Sequence, residues 1–180
     1  MTGIADIQWT YFCSNVVHEW SGLWTFWNAQ TRQVINKFHG IRSFIALDEA
    51  KTIIRHRNIF QNEDGGARIL PTGYEGPWEI LKGDTDEHGV CHPAKREHRA
   101  VLHSNGGGVW TRNYIGDLDA RKFSAEMFLS RGEFRCGVIV SYNESKQLRS
   151  FGTIRRRSRT PKSKSGRQVQ RCKRACSFQI

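Results

Sequence analysis

The sequence predicts an all-β protein, an antiparallel barrel of about eight to ten strands preceded by one N-terminal helix. Three observations lead there. After residue 20 the apolar residues recur at period two in short runs, separated by turn-forming clusters. Only residues 6–20 keep a helical period. The joins are mostly short, which suits an antiparallel meander, and closing a meander removes its exposed edges. A sandwich of similar strand number is the competing arrangement.

The helix comes first. In Asp6 to Trp20 the side chains Trp9, Phe12, Cys13, Val16, Val17 and Trp20 fall on one face of a 3.6-residue period. The stretch Trp20-Ser21-Gly22-Leu23-Trp24-Thr25-Phe26-Trp27 then reads as a strand. Gly22, Trp24 and Phe26 lie on one side, Leu23, Thr25 and Trp27 on the other. Val34 to Leu47 is a long strand in which Gly40 marks a bend or bulge. Thr52 to Phe60 follows the turn Asp48-Glu49-Ala50-Lys51, and Asn62 to Gly66 is a loop. Trp78 to Leu81 is a short strand, and Gly83 to Lys95 is a polar loop without periodicity. Arg99–His103, Val109–Ile115, Phe123–Leu129, Phe134–Tyr142 and Leu148–Ile154 complete the set. Turns fall at Asn105–Gly108, Gly116-Asp117, Ser130-Arg131-Gly132 and Asn143–Lys146. No internal repeat is evident.

Charge divides the chain. Net charge is +11, but ten of the 28 basic residues lie from Arg155 onward, where there is no acid. Residues 1–154 are therefore close to neutral. The domain is expected over residues 6–156, with 157–180 a basic disordered tail. Non-specific attraction to nucleic acid or an anionic surface belongs to that tail and not to the domain. Five scattered cysteines, Cys13, Cys91, Cys136, Cys172 and Cys176, argue against a disulfide scaffold. There is no secretory pattern and no apolar run long enough to span a bilayer. A soluble protein in a reducing, intracellular compartment is expected.

The opening Trp9…His18-Glu19-Trp20-Ser21-Gly22-Leu23-Trp24 and the close carry a resemblance. The close runs Ala125-Glu126-Met127-Phe128-Leu129…Arg135-Cys136-Gly137-Val138-Ile139-Val140-Ser141-Tyr142…Leu148…Ile154-Arg155. Together they resemble a domain-of-unknown-function family of lipocalin-like (calycin) barrels from photosynthetic organisms, related in fold to bilin chromophore lyases. The resemblance implies that Gly22 and Trp24 sit at the closed end of the barrel. It also implies that an arginine of the final strand, Arg155 or Arg156, lies across the tryptophan. A cytoplasmic or plastid location, and a tetrapyrrole-like ligand, follow from the same likeness.

Two sets of residues are candidate ligand contacts. A two-residue loop at Arg131-Gly132 would pair Phe128 with Arg135 and Glu126 with Gly137, making Glu126 and Arg135 diagonal neighbours. The other face of that hairpin carries Ala125, Met127, Leu129, Phe134, Cys136, Val138, Val140 and Tyr142. If the apolar face looks inward, Glu126 and Arg135 form an outer ion pair of little weight. If the polar face does, Arg135 could hold a ligand carboxylate with Glu126 orienting it. Trp110, Arg112 and Tyr114 share a face that mixes flat aromatic area with a cation, suited either to an acidic conjugated ligand or to an outer girdle.

Catalytic and metal signals are weak. His88, Cys91 and His92, with His98 further on, are too crowded for one tetrahedral zinc, and Cys172/Cys176 have no partner pair. Asn105-Gly106-Gly107-Gly108 is a turn and not a phosphate loop. The sequence calls for no metal and no cofactor. It points to binding of a small apolar molecule (a pigment, fatty acid or isoprenoid), with a lyase or isomerase acting on a tetrapyrrole as the enzymatic alternative.

Overall fold

The computed structural model describes residues 2–62, 75–112 and 123–158. One helix, α1 (Ile4–Asn15), precedes eleven strands. They are β1 (Glu19–Asn28), β2 (Val34–Ala46), β3 (Ile53–Gln61), β4 (Trp78–Leu81), β5 (Thr85–Asp86) and β6 (Gly89–His92). Then come β7 (Lys95–Leu102), β8 (Gly107–Arg112), β9 (Ser124–Arg131), β10 (Phe134–Tyr142) and β11 (Leu148–Ser158). All pair antiparallel in one sheet, in the order β4-β3-β2-β1-β11-β10-β9-β8-β7-β6-β5. The sheet curls until its two ends approach. There Trp78 of β4 lies 5.2 Å from His92 of β6, ring to ring. The barrel is nearly closed, and side-chain rings bridge its seam.

The strand count exceeds the expected eight to ten because the polar stretch 83–95 is not all loop. It holds a 3-10 turn (Lys82–Asp84), β5 and β6, with Val90 and Cys91 buried. Strands of two and four residues are too short to show a period. α1 is also shorter than expected. It stops at Asn15, and Trp20 belongs to β1, its indole N–H donating to Val16 O at 3.0 Å. The helix packs against β5, β6 and β7. Trp9 and Phe12 join Trp20, Phe44, Ile54, Ile80 and Val90 in the main core. Gln8 fixes the helix to β7 by donating to Leu102 O (3.0 Å) and accepting from its N–H (2.8 Å).

A second, smaller core gathers Trp24, Phe38 and Ile154. Gly22 and Gly40 face each other across β1 and β2. A Cβ on Gly40 would stand 2.7 Å from Cζ3 of Trp24, and one on Gly22 would stand 2.8 Å from Cγ of Arg156. Gly40 therefore makes room for the indole. The ladder runs through it unbroken, and the irregularity falls between Phe26 and Trp27.

The β9–β10 hairpin differs in register from the expected one. Its loop is Gly132-Glu133, Arg131 pairs with Phe134, Phe128 with Gly137, and Glu126 with Ile139. Gly132 has φ 58°, which places glycine first in the two-residue turn. A shift of two residues keeps every side chain on its face. That face is the polar one: Glu126 and Arg135 are buried, whereas Met127, Leu129, Phe134 and Val138 are exposed.

β11 continues to Ser158, so Arg155, Arg156 and Arg157 belong to the sheet, and Arg156 is buried. The rest of the basic tail, with Cys172 and Cys176, lies outside the described residues. Cys13, Cys91 and Cys136 are unpaired. Among the described residues no helix is long and apolar enough to cross a membrane.

Candidate ligand-binding site

Inside the barrel is a cavity of about 260 Å³, beside the β4–β6 seam. Period two along each strand brings its wall together: Arg42 and Phe44 from β2, His56 and Asn58 from β3, Trp78 from β4, His92 from β6. His98 of β7, Trp110 of β8, Ser124, Ala125 and Glu126 of β9 and Ile139 of β10 also line it, with Ala94 and Lys95 where β6 passes into β7. The rings support one another. His56 stacks on Phe44 at 4.1 Å and meets His92 at 5.6 Å, while His92 meets Trp110 edge-on at 5.7 Å. Trp110 in turn rests on Phe12 of α1 at 6.3 Å. Two tryptophans and two imidazoles thus make a flat-sided, largely apolar slot.

The polar end is built on Glu126. Oε2 accepts from Arg42 Nη1 at 2.9 Å, and Oε1 accepts from Arg156 Nη2 at 3.0 Å. Arg135 Nη2 is 3.8 Å from the same Oε1. Three guanidiniums hold the Glu126 carboxyl well below the usual carboxylate range despite its burial, so it is ionised at neutral pH. Burial pulls Arg135 down to about 9, against the opposing pull of Glu126. Aromatic faces give partial relief. Arg135 Cζ lies 3.6 Å over Phe128 and Arg156 Cζ lies 4.6 Å over Trp24, contacts worth about 2 kcal/mol when desolvated.

Asn58 connects the charged end to the histidines. Its Oδ1 accepts from Arg42 Nε at 3.0 Å and lies 3.2 Å from His56 Nε2. An amide oxygen only accepts, so His56 carries its proton on Nε2. A sequence profile described as "Domain of unknown function (DUF3598), N-terminal" matches residues 5–160. The chain belongs to the DUF3598 family. No curated protein matches it in sequence.

Two solved structures share the fold. A DUF3598 protein of unknown function from Nostoc punctiforme is 14% identical with a TM-score of 0.57. The match covers 89% of this chain and 48% of that one, so this chain spans about half the Nostoc protein's length. The S-type phycobiliprotein lyase CPES from Guillardia theta is 10% identical with a TM-score of 0.52, covering 90% of this chain and all of that one. The family and barrel resemblance read from the two ends of the sequence is thus established.

In this DUF3598 barrel, the residues singled out from sequence fall into three groups. Trp110, Glu126 and Arg135 all point into the barrel, the first two onto the cavity and Arg135 behind Glu126. Gly22, Trp24 and Arg156 meet beside them, while Arg155 is exposed on the outer face of β11. Alternation along the strand decides between the two arginines: opposite Trp24 sits Ile154, and Arg156 is on its face. Arg112, at the end of β8, lies 3.9 Å from Glu97 and does not line the cavity. Tyr114 lies outside the described residues.

Sequence reasoning missed Arg42, His56, Asn58 and Trp78, and weighed His92 and His98 only as metal ligands. His88 is instead exposed and Cys91 is buried away from His92's cavity. Among the described residues no three His, Cys, Asp or Glu are placed to hold a metal ion.

These histidines make stability pH-dependent. Burial first, then the Arg42 charge, holds His92 at about 4, and the same causes press His56 well below its ordinary value. The folded protein therefore binds fewer protons than the unfolded chain between about 6.5 and 4. The stability is fully present above that window and is lost as pH falls through it. His92 alone should account for a loss of up to about 3 kcal/mol. Urea unfolding at pH 7, 5.5 and 4.5 checks this, and His92→Gln should flatten the slope. An unchanged midpoint in the wild type across that range would show His92 to be solvated.

Proposed function

We propose that this DUF3598 barrel binds a small, flat, largely apolar molecule of pigment, fatty-acid or isoprenoid type. The observation that carries this is the ring-walled cavity between Trp78, His92 and Trp110, closed at one end by charge. Buried apolar area supplies affinity, and the few polar groups orient the ligand. Tryptophan fluorescence should be quenched saturably by at least one ligand of these types. Trp110→Ala removes a wall and should weaken binding roughly five- to a hundredfold, since losing a ring contact costs about 1–3 kcal/mol. Undiminished binding in Trp110→Ala would place the ligand elsewhere.

A second reading, a lyase or isomerase acting on a tetrapyrrole, is supported by the Arg42–Glu126 pair facing the cavity. The shared barrel of the Guillardia lyase agrees with it at the level of fold. Because Glu126 is held ionised, it suits acceptance of a pyrrole N–H and does not suit proton donation. The two readings part on one point. A binder releases an open-chain tetrapyrrole on denaturation, whereas a lyase leaves it covalently attached to an acceptor protein supplied in the mixture.

A further inference from the structure

Charge inside the barrel does not balance. Arg42, Arg135 and Arg156 converge on the single carboxylate of Glu126, a surplus of two positive charges. Arg135 is 1% exposed, and among the described residues no acceptor bonds its Nε, Nη1 or Nη2. Among the same residues Arg156 has none on Nε or Nη1. A guanidinium buried in this way is costly unless an anion faces it, and aromatic faces offset only part of the cost. Arg135 and Arg156 sit behind the cavity-lining Glu126, a place where apolar residues would be cheaper if the role were structural only.

We infer that the cavity takes a ligand bearing an acidic group (a carboxylate, sulfonate or phosphate), received by Arg42 beside Glu126 and neutralised by the arginines behind it. This rests on the binding reading above and narrows its ligand class. Arg42 and Glu126 both line the cavity, so an anion contacting Arg42 comes within one side chain of Arg156 and Arg135. In so dry a setting charges act across several ångströms, and the cations need not all touch the ligand. Arg42 commits Nε to Asn58 and Nη1 to Glu126, which fixes the guanidinium plane and leaves Nη2 to donate to a ligand oxygen. His56 and His92, neutral at pH 7, add hydrogen-bonding groups to the same wall without adding charge.

A matched pair of fluorophores tests this on the full chain. N-phenyl-1-naphthylamine is neutral, and 8-anilinonaphthalene-1-sulfonate carries the same rings with one sulfonate. At low salt the sulfonate should bind at least tenfold more tightly, as a charge-assisted hydrogen bond allows. Arg42→Met and Arg135→Met should each bring the two affinities to within about threefold of one another. Arg135→Met also separates a ligand-directed arginine from a structural one. Its ligand-free thermal midpoint should stay level or rise, because an uncompensated charge leaves the core. A fall in that midpoint would count against the inference. Should a variant not fold, the wild-type ratio decides. Binding of the neutral probe with no advantage for the sulfonate overturns the acid site and leaves the cavity reading standing. Failure of both probes overturns both.

Discussion

Glu126→Gln is expected to destabilise the barrel by about 3–5 kcal/mol at pH 7, the cost of removing one member of a buried ionic cluster. The amide keeps the shape of the carboxylate and removes only its charge. Arg42, Arg135 and Arg156 would then be buried together with no anion among them. Urea unfolding at constant m-value measures the loss. The variant should also change the acid limb. With its folded pKa depressed, Glu126 contributes stability that is present above about 4.5 and is lost as pH falls below it. Glu126→Gln should lose that share of the acid limb and keep the histidine limb between about 6.5 and 4. A loss under about 1 kcal/mol would mean that water, and not Glu126, compensates the arginines.

Trp24→Ala should cost a similar amount, about 3–5 kcal/mol, because the ring is a buried anchor of the second core. The indole stacks on Phe38 at 5.8 Å and meets Phe60 edge-on at 5.9 Å, in space that Gly40 leaves open. Arg156 Cζ lies over the same ring. A double-mutant cycle of Trp24→Ala with Arg156→Met should give coupling of about 0.5–2 kcal/mol. The same cycle with Arg155→Ala should give almost none, since that side chain points outward. Equal coupling for the two arginines would undo the assignment of Arg156 to the closure.

The barrel was legible because long strands announce themselves. Trp20 to Trp27 and Val34 to Leu47 alternate over many residues, and the end strands carried the family likeness. What sequence could not show was which face turned inward. On β9 and β10 the more apolar face, with Met127, Leu129, Phe134 and Val138, is outside. Hydrophobicity therefore points the wrong way wherever an interior is built to hold charge. On β3 the inner set Ile54, His56, Asn58 and Phe60 is no more apolar than the outer set Ile53, Arg55, Arg57 and Ile59. Period two gave two faces there and no means of choosing. Arg42 had a signal, two residues beyond Gly40 and on the face of Phe38 and Phe44, but it gained meaning only when β9 brought Glu126 opposite. Trp78 and His92 meet at the seam between strands far apart in sheet order, a contact that local patterns do not encode.

Native mass spectrometry of the protein purified from its own source tests the cavity most directly. The expected result is one small molecule bound per chain, carrying an acidic group, displaced by 8-anilinonaphthalene-1-sulfonate and lost from Trp110→Ala. A bare polypeptide mass, together with failure of the wild type to bind either fluorophore, would contradict it and leave a barrel whose interior is only structural.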